Sequence, residues 1–576
     1  MTPAHETPTD EALLSPGEAT ALGLLGAVAV AAAAVLLGGA LSGLFFGRGW
    51  VWPPTRQLPS TLVALVTHPG QPSAAYGRTL GGLLPGPGWF WGTVAALASV
   101  AVIGAGFLAA GAATRRRQAG MATRGQIRTV GREPDAGAMF GTYLGVPVRA
   151  RGEDSALTIA PARAGKTTRL AVGLVVDAPG AVVATSTKAD LVHLTAFARA
   201  GTSKAHVFDP DRLLAWPTPC RWDIVAGCED VRDAMTRARA MVAARPLGAG
   251  RNSSFFEGAS ETVLRCLMHA AAIGGQSMRE VLGWARDFTD DTPYEILRTH
   301  PGAAPGWVQD LRKFCRGAAP ETVSSTAMSL GLILKAMADD RVVDLVCPPA
   351  GGGLDVEAFV RGGTDTLYLV TEGGDGVSTA PLVTAFASAV VSCARRVSQT
   401  RPGGKLDPPL TFVLDEAANV APLPDLPAMM SDGGGRGMST WAFVQSFAQL
   451  RARWGRDGAD SIWGASSIKL LLGGCTEADD LERISRVVGQ RRVRRQSHSS
   501  PGGFTSRAQV STSTSLERER ILPVEALARI PAGRALLLYR AVPAALVGLP
   551  AWWERNDATV FRASQTEALR VSGRRT

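Results

Sequence analysis

The residues able to do chemistry fall in three places. The first is the stretch Ser155 to Leu170, SALTIAPARAGKTTRL. A phosphate-binding loop needs small residues, so that successive backbone N–H groups can close around an anion. Pro161, Ala162, Arg163, Ala164 and Gly165 form such a loop. Lys166, Thr167 and Thr168 then open a helix whose free N–H groups and positive dipole end face the same anion. Lys166 is expected to reach the β- and γ-phosphates of ATP, and Thr167 to place its hydroxyl on Mg2+. The P-loop pattern begins with Gly, and Ala160 stands at that position. Its Cβ fits if the backbone keeps a negative φ.

The second place is Asp415-Glu416, directly after the apolar run Leu410 to Leu414 (LTFVL). An aspartate at the end of a buried strand is placed to hold Mg2+, and the following glutamate to orient and deprotonate an attacking water. Read alone, the pair could simply cap the next segment. The third place is Gln445, which ends the run Ser439 to Val444 and would sense the γ-phosphate or position that water. Arg436 lies just before, in Gly433-Gly434-Gly435-Arg436-Gly437. It suits an arginine finger reaching a neighbouring subunit's nucleotide, and equally a DNA phosphate or solvent.

These residues need a scaffold that brings distant segments to one edge. Short β-branched runs at 156–159, 181–186, 205–208, 366–371, 410–414, 439–444, 468–472 and 534–540 read as strands. Helical stretches alternate with them, which implies an α/β fold with a mainly parallel sheet covered on both faces. In such a sheet ligands sit at the carboxyl ends of the strands. Residues 228–350 interrupt the alternation with helical patterns and read as an inserted all-α domain. Its long helix is expected to start with a capping box at Ser254 and Glu257. A second box is expected at Thr476 and Asp479, opening a helix that stops at Gly489. The Ser/Arg-rich stretch 490–516 reads as a loop. The expected division is a 1–20 tail, 21–113 membrane domain, 114–227 and 351–554 as two parts of the nucleotide domain, and 555–576 as a polar, basic tail.

The chain has 576 residues, a net charge of +10 and 46% hydrophobic residues. That is too apolar for a disordered chain and long enough for more than one domain. Its seven cysteines form no CxxC pair, which points to reduced structural thiols rather than zinc. Ala21 to Phe46 and Trp89 to Ala113 are uncharged, each long enough to span a bilayer. Arg115-Arg116-Arg117 follows the second at once. Positive charge stays inside, so a plasma-membrane protein with two spans and both termini cytoplasmic is expected. Trp50, Trp52 and Trp89 flank the spans as interfacial anchors.

Taken in order, two N-terminal spans, P-x-R-x-GKT, STKAD, an FDP turn, FFEGA, LDEAANVAPLPDL and VQSFAQL form a series. The series resembles the type IV secretion system coupling proteins, the TraG-like conjugative DNA-transfer ATPases, over about residues 20 to 550. The resemblance implies a RecA-like P-loop NTPase domain with the inserted all-α domain, preceded by two transmembrane helices. It implies a homohexameric ring at the inner membrane that uses ATP and Mg2+. Such a ring receives a relaxase bound to single-stranded DNA and passes it to the type IV secretion channel. It assigns phosphate binding to Gly165, Lys166 and Thr167, the Walker B pair to Asp415 and Glu416, the glutamine to Gln445 and an active-site arginine to Arg436. Ala160 departs from the family pattern. Two other readings stand beside it: an FtsK-like pump for double-stranded DNA, and a membrane recruiter that binds nucleotide with little hydrolysis.

Overall fold

The computed structural model of the chain describes residues 16–117, 120–130, 136–199, 203–248, 252–373, 378–499 and 511–573. The chain divides into two units, 1–119 and 120–576. The first fifteen residues of the expected N-terminal tail lie outside the described residues.

In the first unit, two 31-residue helices, Pro16–Phe46 and Pro87–Arg117, contain the two uncharged runs. The segment Pro87–Gly104 is long and apolar enough to cross a membrane. Gly38 and Gly39 let the helices close: a Cβ on Gly38 would stand 2.5 Å from Val94, and one on Gly39 2.5 Å from the Tyr76 hydroxyl. Small residues serve this purpose where helices meet in lipid. Val51, Leu65, Tyr76, Phe90 and Val94 make a small buried cluster beside them. Short helices, among them Leu58–Thr67, fill the intervening segment.

The second unit is built on an eleven-stranded sheet. In chain order its strands are β1 (Ala136–Tyr143), β2 (Val146–Arg151), β3 (Ser155–Ile159), β4 (Val182–Ser186), β5 (Ala205–Phe208), β6 (Thr366–Val370), β7 (Leu410–Leu414), β8 (Met438–Val444) and β9 (Ile468–Leu472). A separate two-stranded ribbon follows, β10 (Gln490–Ser499) and β11 (Ser511–Arg520). The last strands of the large sheet are β12 (Arg534–Tyr539) and β13 (Val542–Gly548). The spatial order is β2-β1-β13-β12-β9-β3-β8-β7-β4-β6-β5. The seven strands from β9 to β5 are all parallel. β12, β13, β1 and β2 extend them antiparallel. Strands β3, β4, β6, β7 and β8 are buried along their whole length, as a parallel sheet covered on both faces requires.

The helical block shares a core with one face of the sheet. Its long helix Ser253–Ile273 is surrounded by Met278–Arg286, Thr292–Thr299, Trp307–Cys315 and Pro320–Ile333. The helix Val231–Ala244 joins block to sheet by packing on Ala380–Gln399, where Arg396 Nη1 lies 2.8 Å from Asp233 Oδ1. Ala380–Gln399 is as apolar as a membrane span but 83% buried, so it is a core helix.

Several local expectations are corrected. The helix at 253 has Asn252 at its start without a side-chain cap. Glu257 turns away from Ser254 and accepts the Leu247 N–H at 2.9 Å. The helix Ala478–Val488 has no side-chain cap either. A reciprocal box forms instead at Ser277 and Glu280. Much of the expected loop at 490–516 is the β10–β11 ribbon, with 500–510 outside the described residues. The expected polar tail contains the helix Ala558–Val571, which buries Ala558, Phe561, Ser564 and Ala568. Ser564 fixes it by donating to His193 O and accepting from Phe197 N.

Candidate functional site

The parallel register decides what meets what. Ile159 at the end of β3 is level with Val444 of β8, and Leu414 of β7 with Ala442 of β8. The loop after β3, Gln445 after β8 and Asp415-Glu416 after β7 therefore emerge side by side at the carboxyl edge. Arg436 does not join them. It lies in the turn before β8, at the opposite edge, with Nε 3.2 Å from Asp432 Oδ2.

The loop from Pro161 turns through two left-handed residues, Arg163 (φ 65°) and Gly165 (φ 85°). Such reversals aim successive N–H groups inward. The helix opens with five π-helical residues, Thr167–Ala171. Arg169 ties this opening to the far end of the chain, donating from Nη1 to Leu549 O at 2.5 Å. Ala160 is fully buried, is absent from the positive-φ residues, and donates its N–H to Val444 O at 2.9 Å. The backbone at that position continues the β3–β8 ladder, and a methyl group costs it nothing.

Across β8, Lys166 Nζ lies 3.1 Å from Asp415 Oδ1 and 3.1 Å from Glu416 Oε1. Thr167 Oγ1 donates to Asp415 Oδ2 at 2.9 Å. Asp415 is buried, and no hydrogen-bond donor is aligned on its Oδ1. Burial raises its pKa above the ordinary 3.8, opposed by the nearby Lys166 ammonium and the Thr167 hydroxyl. Glu416 takes a left-handed backbone (φ 53°), a conformation that costs a non-glycine residue roughly 1–3 kcal/mol and gathers at functional sites. Its carbonyl accepts from Asn419 N and Val420 N, which holds the turn.

Gln445 sits on a second polar chain. Its N–H donates to Gln449 Oε1 at 2.8 Å, and Gln449 Nε2 donates to Asn419 Oδ1 at 3.2 Å. The strand end of Gln445 is thus coupled to the turn of Glu416. Thr185 of β4, which no motif singles out, fixes Asp415 by donating Oγ1 to its carbonyl at 2.8 Å. Asp209 of the FDP turn accepts the N–H groups of Leu213 and Leu214 and shapes its own loop.

The donor set fits Mg2+. A buried carboxylate oxygen without an aligned donor stands beside a threonine hydroxyl, and both are hard oxygen ligands. Among the described residues no three His, Cys, Asp or Glu side chains are clustered to hold a metal. Mg2+ does not need such a cage, since it is usually held by one or two protein oxygens with waters and phosphates.

Comparison with known proteins agrees with this geometry. Residues 409–532 match the family model described as the TraM recognition site of TraD and TraG. Solved structures of the bacterial conjugative coupling protein TrwB share the fold. The unbound N-terminally truncated form has a TM-score of 0.54 at 19% identity, over 74% of this chain and 92% of that one. The complex with the GTP analogue GDPNP has a TM-score of 0.55 at 19% identity, over 74% and 93%. The complex with ADP and Mg2+ has a TM-score of 0.53 at 18% identity, over 74% and 92%. None of the curated proteins matches. The fold is that of a RecA-like P-loop NTPase with an inserted helical block, and the chain resembles the type IV coupling proteins.

Proposed function

We propose that this chain is a membrane-anchored, ATP-hydrolysing coupling protein that recruits a relaxase–DNA or protein substrate and drives it toward a type IV secretion channel. The observation that carries the reading is the convergence of Lys166, Thr167, Asp415 and Glu416 across a single strand. The nucleotides held by TrwB support ATP and Mg2+ as the ligands. The match to a TraM recognition region supports a partner in the DNA-processing complex.

In this reading the N–H groups of residues 161–168 bind the phosphates and Lys166 leaves its carboxylate partners to neutralise them. Mg2+, held through Thr167 and Asp415, would supply a positive charge that withdraws electron density from the phosphate oxygens. Glu416 accepts the proton of the attacking water, and Gln445 orients that water. The Asn419–Gln449 link makes the two move together. Arg436, at the opposite edge of its own sheet, would meet a nucleotide held by a neighbouring subunit of a ring. The two helices that contain the uncharged runs anchor the chain in the plasma membrane with both termini cytoplasmic, and residues 228–350 recognise cargo.

The test is ATP turnover by the detergent-solubilised full-length protein, alone, with single-stranded DNA and with duplex DNA. Turnover accelerated most by single strands is the expected result. A preference for duplex would favour an FtsK-like pump. Nucleotide binding without turnover in any condition would leave a recruiter.

A further inference from the structure

The β10–β11 ribbon has two chemically different faces. Its strands pair only with each other. The register sets Arg491 opposite Glu519, Arg492 opposite Arg518, Val493 opposite Glu517 and Arg494 opposite Leu516. Successive residues of a strand point to opposite faces. One face therefore carries Arg491 with Glu517 and Glu519, and Arg491 Nη2 lies 3.5 Å from Glu519 Oε2. That face pairs its cation with acid. The other face carries Arg492, Arg518 and Arg520 and, among the described residues, no acid.

On this second face like charges stand directly across from each other, which destabilises a strand pair. Arg520 is relieved by Glu482 of the supporting helix, whose carboxyl the arginines hold down at about 2. Arg492 and Arg518 are exposed and have no acidic partner among the described residues. An external polyanion would remove this repulsion.

We propose that this face binds the phosphate backbone of nucleic acid. All its cations are arginine, whose guanidinium fork matches phosphate oxygens in pairs. Arg518 and Arg520 are two residues apart on one strand, about 6.8 Å, and Arg492 stands opposite Arg518, so the three cluster their charge. Its described side chains include no aromatic ring to stack on bases, which favours contact with the sugar-phosphate backbone. Its single apolar position, Leu516, is too little for a protein-interface core or for insertion into lipid. The face shares no residue with the nucleotide site, so it can fail while the motor reading stands.

The test is fluorescence anisotropy of labelled single-stranded and duplex oligonucleotides with the full-length protein in detergent, over a range of salt. The double variant R492Q/R518Q is compared with R286Q/R562Q, which removes the same charge from exposed arginines on two helices remote in sequence. The ribbon variant should bind about tenfold more weakly. Its slope of log affinity against log salt should be shallower by about 1.4 for single strands, two contacts at roughly 0.7 each. The control should keep both values. The melting temperature of R492Q/R518Q should not fall, because the substitution removes a repulsive pair. Equal affinities and slopes for the two variants would overturn the proposal. So would loss of binding to anionic phosphatidylserine vesicles with DNA binding intact, which would make the face a membrane contact. If the wild type binds no DNA at all, the cargo reading falls with the ribbon; if only the ribbon variant is silent, the cargo reading stands.

Discussion

The parallel sheet buries an aspartate at each of its edges, and the two are treated differently. At the amino edge Asp154 is fully buried. Its Oδ2 accepts the Arg151 N–H at 2.8 Å and the Tyr539 hydroxyl. Its Oδ1 accepts from Ser467 Oγ at 2.8 Å and Arg540 Nη2 at 2.7 Å. Both oxygens are saturated, so the group locks β12, β9 and the start of β3 together. At the carboxyl edge Asp415 Oδ1 faces the Lys166 ammonium at 3.1 Å without an aligned hydrogen bond, its pKa is raised, and its neighbour Glu416 is strained. A buried charge held by fixed hydrogen bonds is a rivet, whereas one whose main partner is a single loosely aligned ammonium keeps capacity for a ligand.

The comparison can be broken by substitution. The largest effect expected is on turnover. Lys166→Ala, which strips the site of its phosphate-neutralising cation, should lower kcat by about 10²–10³-fold, and it should lower the melting temperature as well, because buried Asp415 loses its cation. A steady-state ATPase assay beside a thermal melt checks both. Next is a paired stability test. Asp154→Asn leaves Tyr539, Arg540 and Ser467 competing for one acceptor and should cost about 3 kcal/mol in denaturant unfolding. Asp415→Asn removes a charge that burial disfavours, so it should leave stability equal or higher while abolishing Mg2+-dependent nucleotide affinity. Equal destabilisation at both edges would end the distinction.

A pH series sharpens the same point. Asp415 binds its proton more readily in the folded chain than in the unfolded one. Acidification through the window between 3.8 and its raised value therefore adds stability from this group. Over the same window the neutral carboxyl is lost as a ligand, so Mg2+-dependent affinity should fall as pH falls. The dependence should vanish in Asp415→Asn. The smallest effect is expected for Ala160→Gly. Ala160 already has ordinary backbone geometry, so glycine should leave kcat within about twofold and cost roughly 0.5–1 kcal/mol of stability through added chain entropy.

Much of the site was legible because its strands are fully buried. β3, β4, β6, β7 and β8 read as short, mostly apolar runs, and β7 and β8 are followed at once by Asp415 and Gln445, the polar residues at the carboxyl edge. What could not be read follows from the same physics. β1 contains Gly137 and Gly141 where other backbone comes close, with Gly548 O only 3.1 Å from a Cβ placed on Gly141, so its sequence lacks β-branched character. Among the described side chains of the ribbon none is buried, and its sequence has no apolar alternation. The helix Ala558–Val571 docks through small residues and one phenylalanine, a stripe too thin to stand out. Thr185 and Asp154 act through backbone and side-chain partners hundreds of residues away, which no local pattern reports. Arg436 is different: it precedes β8, and chain direction alone sends it to the amino edge.

The most direct test of the central claim is made on Glu416→Gln, which keeps the size of the side chain and removes its basicity. ATP affinity and single-turnover hydrolysis would be measured on the same preparation. The account predicts affinity close to wild type with hydrolysis slower by about 10²–10⁴-fold. Hydrolysis at the wild-type rate, with ATP affinity intact, would contradict it and remove the carboxyl edge as the site of the reaction.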